Sequence, residues 1–220
     1  MEVTSADVVD IKVEVRRVDL EGRIVSNGKS IQTRDIGVLL RGPDPDPDSL
    51  MIAGADKSGR FRFPNLLDGT YTLDPLILPL DAYFVEILQG GRRLSNLEFV
   101  FNKSNPQPLE IIVNPNGGII DGQVFNSDRA SILLVPADGQ TLYDAVPIRR
   151  TSPFGEFMIR GVPPGQYRIF AFNSLPSAVS SGVIAASDFV RPYEAQGTPL
   201  IVKAGARTAV RLSVIQPAVK

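Results

Sequence analysis

The amino-acid sequence predicts an all-β chain of two tandem β-sandwiches, interrupted by one short helix near residues 187–195. The first observation behind this is period-two alternation, which recurs along the chain where helical periodicity is nearly absent. The second is punctuation: 19 Gly and 18 Pro in 220 residues, beside 43% hydrophobic residues, describe many turns between short apolar strands rather than a disordered polymer. The third is that SGRFRFPNLLDGTYTL at 58–73 lies over FGEFMIRGVPPGQYRI at 154–169 at a constant offset of 96, without a gap.

Taken in order, Val9, Ile11, Val13 and Val15 alternate with Asp10, Lys12, Glu14 and Arg16, the pattern of a half-buried strand. Strand segments follow at 20–25, 36–40, 60–63, 70–73, 83–88, 97–101 and 109–113, separated by Asn27-Gly28, Lys57-Ser58-Gly59, Asp68-Gly69 and Gly90-Gly91. The second half continues with strands at 119–125, 131–135, 156–159, 166–171, 199–202 and 208–215. Its turns are Asn126-Ser127, Asp138-Gly139, Pro163-Pro164-Gly165 and Ala204-Gly205. About seven short strands per hundred residues is sandwich spacing. In SDFVRPYEAQG at 187–197, Ser187 suits a helix N-cap and Asp188 the first-turn dipole, with a break near Pro192.

In the duplication, Gly59 falls on Gly155, Phe61 on Phe157, Gly69 on Gly165 and Tyr71 on Tyr167. The glycines sit where turns need positive φ, and the rings where one strand face meets a core. Burying such rings contributes on the order of 1.5–3 kcal/mol each, so these residues read as scaffold. A second anchor places Gly22 of LEGRIV on Gly122 of IDGQV at offset 100. NPNGG at 114–118 then forms the junction, giving one sandwich over 18–114 and another over 115–220. Residues 1–17 carry either the last strand of a preceding repeat, similar to TAVRLSVI at 208–215, or an extra N-terminal strand of the first sandwich.

DKSGRFRFPNLLDGTYTL, and more fully FGEFMIRGVPPGQYRIFAF, resemble the carboxypeptidase regulatory-like domains, which belong with the transthyretin-like and collagen-adhesin B-type sandwiches. PLEIIVNPNGGIIDGQV is similar to the join between repeats of bacterial surface or secreted proteins. The resemblance departs from its pattern at Leu67-Asp68-Gly69, where Pro-Pro-Gly would stand, and in the long 42–49 stretch. It implies Ig-like, prealbumin-like sandwiches without intrinsic activity or cofactor, serving as spacer or protein-interaction scaffold at the cell surface, in the periplasm or outside the cell. The implied partners are other domains of one longer chain or other surface proteins. Some collagen-adhesin relatives cross-link a buried Lys to Asn or Asp; Lys12, on the polar face of its strand, and Lys203, before a turn, are the lysines considered for this.

Composition narrows the chemistry further. With 23 Lys and Arg against 24 Asp and Glu, there is no basic field for nucleic acid. No apolar stretch reaches the 18 or so residues of a membrane-spanning helix. The N-terminus lacks the basic start and apolar run of a secretory signal, which leaves a cytosolic chain or a piece of a longer one. Zero His and zero Cys remove the commonest general base, the thiolate and most transition-metal sites. Asp44, Asp46 and Asp48 form a weak calcium candidate, because alternating Pro favours an extended stretch that points successive carboxylates apart. Paired-carboxylate catalysis by Asp81 with Glu86, or Asp188 with Glu194, is disfavoured by the default exposure of acids. Tyr143, Phe154, Phe172 and Tyr193 are candidates for stacking on a sugar face, giving a carbohydrate-binding module, with polysaccharide as ligand, as the alternative function.

Overall fold

The computed structural model describes residues 18–29, 31–33, 36–42, 50–95, 97–126, 129–137, 149–180 and 184–217. The opening strand at 9–15, the acidic stretch with Asp44, Asp46 and Asp48, and Tyr143 lie outside the described residues. The described residues are all-β in class, a sandwich architecture with three short helical segments among them.

In the N-terminal half, alternation generates β1 (Val18–Ser26), β2 (Gly37–Arg41), β3 (Leu50–Gly54), β4 (Arg60–Leu66) and β5 (Gly69–Ile77). They are followed by β6 (Tyr83–Gln89), β7 (Arg92–Arg93), β8 (Glu98–Phe101) and β9 (Leu109–Asn114). One sheet has the order β4-β1-β9-β6-β7 and its partner the order β3-β2-β5-β8. Between them lies a core in which Leu20, Ile24, Phe63, Ile87 and Ile111 meet Val38, Leu40, Tyr71, Leu73 and Phe101.

The C-terminal half contains β10 (Gly118–Phe125), β11 (Ser131–Pro136), β12 (Arg149–Arg150), β13 (Glu156–Val162), β14 (Gly165–Phe172), β15 (Thr198–Val202) and β16 (Arg207–Ser213). Its sheets run β13-β10-β16 and β12-β11-β14-β15. They enclose Ile120, Val124, Ile132, Leu134, Phe157, Ile159, Tyr167, Ile169 and Leu212. A satellite cluster of Leu133, Phe170, Phe172, Ala186, Val190 and Ile215 sits on the other face of β11 and β14. Those two strands are therefore apolar on both faces, as a strand covered on both sides must be.

The two halves repeat one another in atomic detail. The first strand of each pairs antiparallel with its Phe-bearing strand and parallel with its closing strand, and each antiparallel ladder slips near its start. Gly22 faces the Phe61 ring and Gly122 the Phe157 ring so closely that any Cβ would overlap the aromatic carbons. Gly59 and Gly155 both take φ of +80°, and a Cβ on either would strike the backbone carbonyl of Ile24 or Val124. Tyr71 Oη donates to the Leu67 carbonyl at 3.0 Å and Tyr167 Oη to the Pro163 carbonyl at 2.8 Å. Leu67 also returns its N–H to Tyr71 Oη at 3.3 Å, a bond that Pro163 has no hydrogen to make.

Two details differ from the sequence reading. The helical region begins earlier and is split: α1 (Ser177–Ser180), α2 (Ala186–Val190) and a 3-10 turn, Arg191–Gln196. Ala185 occupies the N-cap of α2, so Ser187 lies inside the first turn. The break falls at Arg191-Pro192 because Pro in the second helical position fits the start of a turn and cannot continue one.

Candidate functional site

The most elaborate polar constellation lies where the halves meet. Asn114 ends β9, and its side-chain carbonyl accepts the Asn116 N–H at 2.9 Å, turning the chain. Gly117 N–H then donates to the Asp81 carbonyl at 2.8 Å, in the loop before β6. From the other side, Gly205 N–H donates to the Asn116 carbonyl at 2.9 Å and Ile119 N–H to that of Ala206 at 2.9 Å. The connector is thus held by a loop of each half.

Arg160 on β13 completes the contact. Its Nε and Nη2 donate to the two carboxylate oxygens of Asp81 at 2.8 and 2.9 Å, a two-point ion pair. That hydrogen bonding holds the Asp81 carboxyl below its usual range, outweighing partial burial. With Asp81 41% exposed, the pair's weight is geometric rather than energetic, since two parallel bonds fix the orientation of both partners. Backbone approach is close beside it: a Cβ on Gly161, at φ +67°, would lie 2.5 Å from the Ala82 carbonyl oxygen, and one on Gly117 would lie 2.7 Å from the Gly161 Cα.

The candidate carboxylates are all engaged by arginine. Asp81 pairs with Arg160, Glu86 lies 3.7 Å from Arg93, Asp188 3.0 Å from Arg191 and Glu194 3.8 Å from Arg168. A general acid needs a carboxyl raised toward neutrality, whereas Asp81 is driven the opposite way. A surface groove of about 540 Å³ is lined in part by Asp19 and Glu21. There Asp19 already accepts from Arg62 Nη1 at 3.1 Å and from the Asn65 N–H at 3.0 Å. Among the described residues no group of three or more His, Cys, Asp or Glu could hold a metal ion. Among them, too, no helix is long and apolar enough to cross a membrane.

The described aromatic candidates, Phe154, Phe172 and Tyr193, do not form a platform. Phe172 is fully buried, 6.1 Å between centroids from Phe170 and 5.1 and 5.2 Å from Phe189 and Tyr193. A ring enclosed on all sides has no face to offer a pyranose, so Phe172 is a core residue. Tyr193 packs edge-on against it as part of the same cluster. Phe154, 80% exposed, stands apart at the turn before β13. Lys203 is exposed after β15, not in the buried setting that an isopeptide cross-link requires. Gly59, Phe61, Tyr71, Gly155, Phe157 and Tyr167 occupy the turn and core positions described above; Gly69 and Gly165 do not take the positive φ expected of them, because each opens a Tyr-bearing strand and pairs in its ladder, with Phe101 and Val202 respectively. The Asp81–Arg160 clamp was missed in the sequence. A signal for it exists: aligned at offset 96, Gly161 replaces Asn65, which has φ of +60°.

No family model and no curated protein matches the chain. Among solved structures it is similar to the Bacillus anthracis TIE protein, with 12% identity over 90% of this chain and 33% of that one, and a TM-score of 0.32. It thus spans a third of that protein's length. It is also similar to GBS52, the minor pilin of Streptococcus agalactiae, with 15% identity over 91% of this chain and 98% of that one, and a TM-score of 0.30. A DUF3823 family protein from Bacteroides ovatus gives 11% identity, 71% and 91% coverage and a TM-score of 0.30. Likenesses this distant bear on neither activity nor partner.

Proposed function

We propose that the chain is a non-catalytic structural module: two sandwich domains, 18–114 and 115–220, clamped end to end as a fixed-angle spacer of a larger bacterial surface or secreted protein. Its strand edges and loops face other domains of that protein or neighbouring surface proteins. The observation that carries this reading is the two-point Asp81–Arg160 bond beside the Gly117–Asp81 backbone bond, because a connector tied to both domains resists bending in a way a free linker does not. Small-angle scattering of the whole chain tests it. One rigid arrangement accounts for the curve of a spacer, and Arg160→Ala increases the spread of dimensions. A curve for the unaltered chain that demands a broad ensemble of domain angles contradicts the reading. The rival, a carbohydrate-binding module, rests among its described candidate aromatics on the exposed ring of Phe154; a glycan array with no bound polysaccharide is the expected result.

A further inference from the structure

In the N-terminal half, β9 is paired on both sides, by β1 and by β6. In the C-terminal half, its counterpart β16 is paired by β10 and ends the sheet; among the described residues no strand lies beyond it. Gly22 pairs with Leu109 and Gly122 with Val210, so Leu109 and Val210 are equivalent, as are Glu110 and Arg211, and Ile111 and Leu212. The uncovered edge shows in the side chains. Leu109 is fully buried, whereas Val210 is only half-buried, although both face a core. Charge differs as well: Glu110 is paired in its sheet with Arg23, whereas Arg211 is exposed opposite Gln123. Arg207, four residues earlier, points to the same outer face, its Nε 3.0 Å from Asp121 Oδ2.

An open strand edge binds an extended segment through its backbone and selects it by alternate side chains. Two arginines four residues apart select a strand with carboxylates at that same spacing. Residues 8–15, VVDIKVEV, carry Asp10 and Glu14 four apart, with Val9, Ile11 and Val13 on the alternate positions. We propose that this segment of a second copy of the chain adds to the outer edge of β16, antiparallel, as β6 adds to β9. In the register Asp10 opposite Arg211 and Glu14 opposite Arg207, Val9 faces Leu212, Ile11 faces Val210 and Val13 faces Thr208. Val9, Ile11, Val13 and Val15 then extend the core face, Val8 falls on the outer face, and both carboxylates meet an arginine. The contact joins unlike surfaces of two copies, so it propagates head to tail. The arginines also discriminate against basic or uncharged strands, which keeps an open edge from promiscuous pairing.

The chain has no Cys, so engineered pairs report register directly. In the whole chain, Lys12→Cys with Ala209→Cys places two thiols opposite one another in this register, the second at an exposed position. Oxidation of that variant yields disulfide-linked multimers on a non-reducing gel, and the out-of-register pair Lys12→Cys with Ser213→Cys yields few or none. Sedimentation velocity supplies the second measurement: Arg211→Glu or Asp10→Arg alone weakens self-association about tenfold, and the two together restore it. A chain that stays monomeric at every concentration overturns the proposal, as does a disulfide closed within one molecule or association indifferent to both charge reversals.

Discussion

The two halves differ most in the segment joining β5 to β8 and its counterpart joining β14 to β15. The first segment forms β6 and β7 and extends the sheet of β1 and β9; the second forms α1, α2 and the 3-10 turn and covers the opposite sheet. The residues beneath account for the divergence. Leu39 of β2 is half-buried, whereas its equivalent Leu133 of β11 is fully buried, and Phe170 and Phe172 of β14 turn outward into the helical cluster. Arg168 reinforces that cover by donating to the carbonyls of Glu194 and Gly197 at 3.2 and 3.3 Å. One sandwich plan thus accepts an added layer on either sheet, and the layer goes where apolar side chains need it. The second consequence is the edge: β6 covers β9, whereas among the described residues no strand covers β16.

The largest way to break this comparison is Phe172→Ala. Truncating a fully enclosed Phe costs about 3–5 kcal/mol, and hydrogen exchange resolved along the sequence should show the loss in β11, β14 and α2 while β1 to β9 keep their protection. Uniform loss across both halves would mean that they unfold as one unit. Next is the exchange of Asn65 and Gly161, which share a left-handed conformation in the two copies. Gly161→Asn drives a Cβ against the Ala82 carbonyl and should cost on the order of 1–3 kcal/mol, as strained backbone does. Asn65→Gly meets no such neighbour and should cost about 1 kcal/mol or less. Equal penalties in denaturant melts would remove the junction as the reason for Gly161.

The smallest effect is acidic. The folded Asp81 carboxyl is held below its ordinary value near 4. Its contribution to the junction is therefore complete above that value and fades as pH falls through the lower folded one. Loosening should begin only below about pH 4.

Much of the fold was legible because its signals are local. Alternation marked the long strands, and the Gly59/Phe61/Gly69/Tyr71 spacing repeated as Gly155/Phe157/Gly165/Tyr167 marked two equivalent hairpins. β3 was not legible, since LMIAG has one β-branched residue and small residues at its end; its conformation comes from pairing with β2. The Arg-Arg strands β7 and β12 likewise exist through their partners. The site was less legible still. Asp81 stood out as an acid, but its partner Arg160 is 79 residues away and meets it only through the packing of one half on the other. Phe172 reads as a candidate ligand contact because an aromatic at a strand end carries no sign of the helix that covers it.

The central claim, a clamped pair of sandwiches, is most directly tested by electron-spin distance measurement between labels at Lys57→Cys and Glu156→Cys, exposed positions in the two halves of a chain that otherwise lacks thiols. One narrow distance at neutral pH, broadened by Arg160→Ala, is the predicted result. A broad distribution in the unaltered chain, or a narrow one indifferent to Arg160, contradicts it.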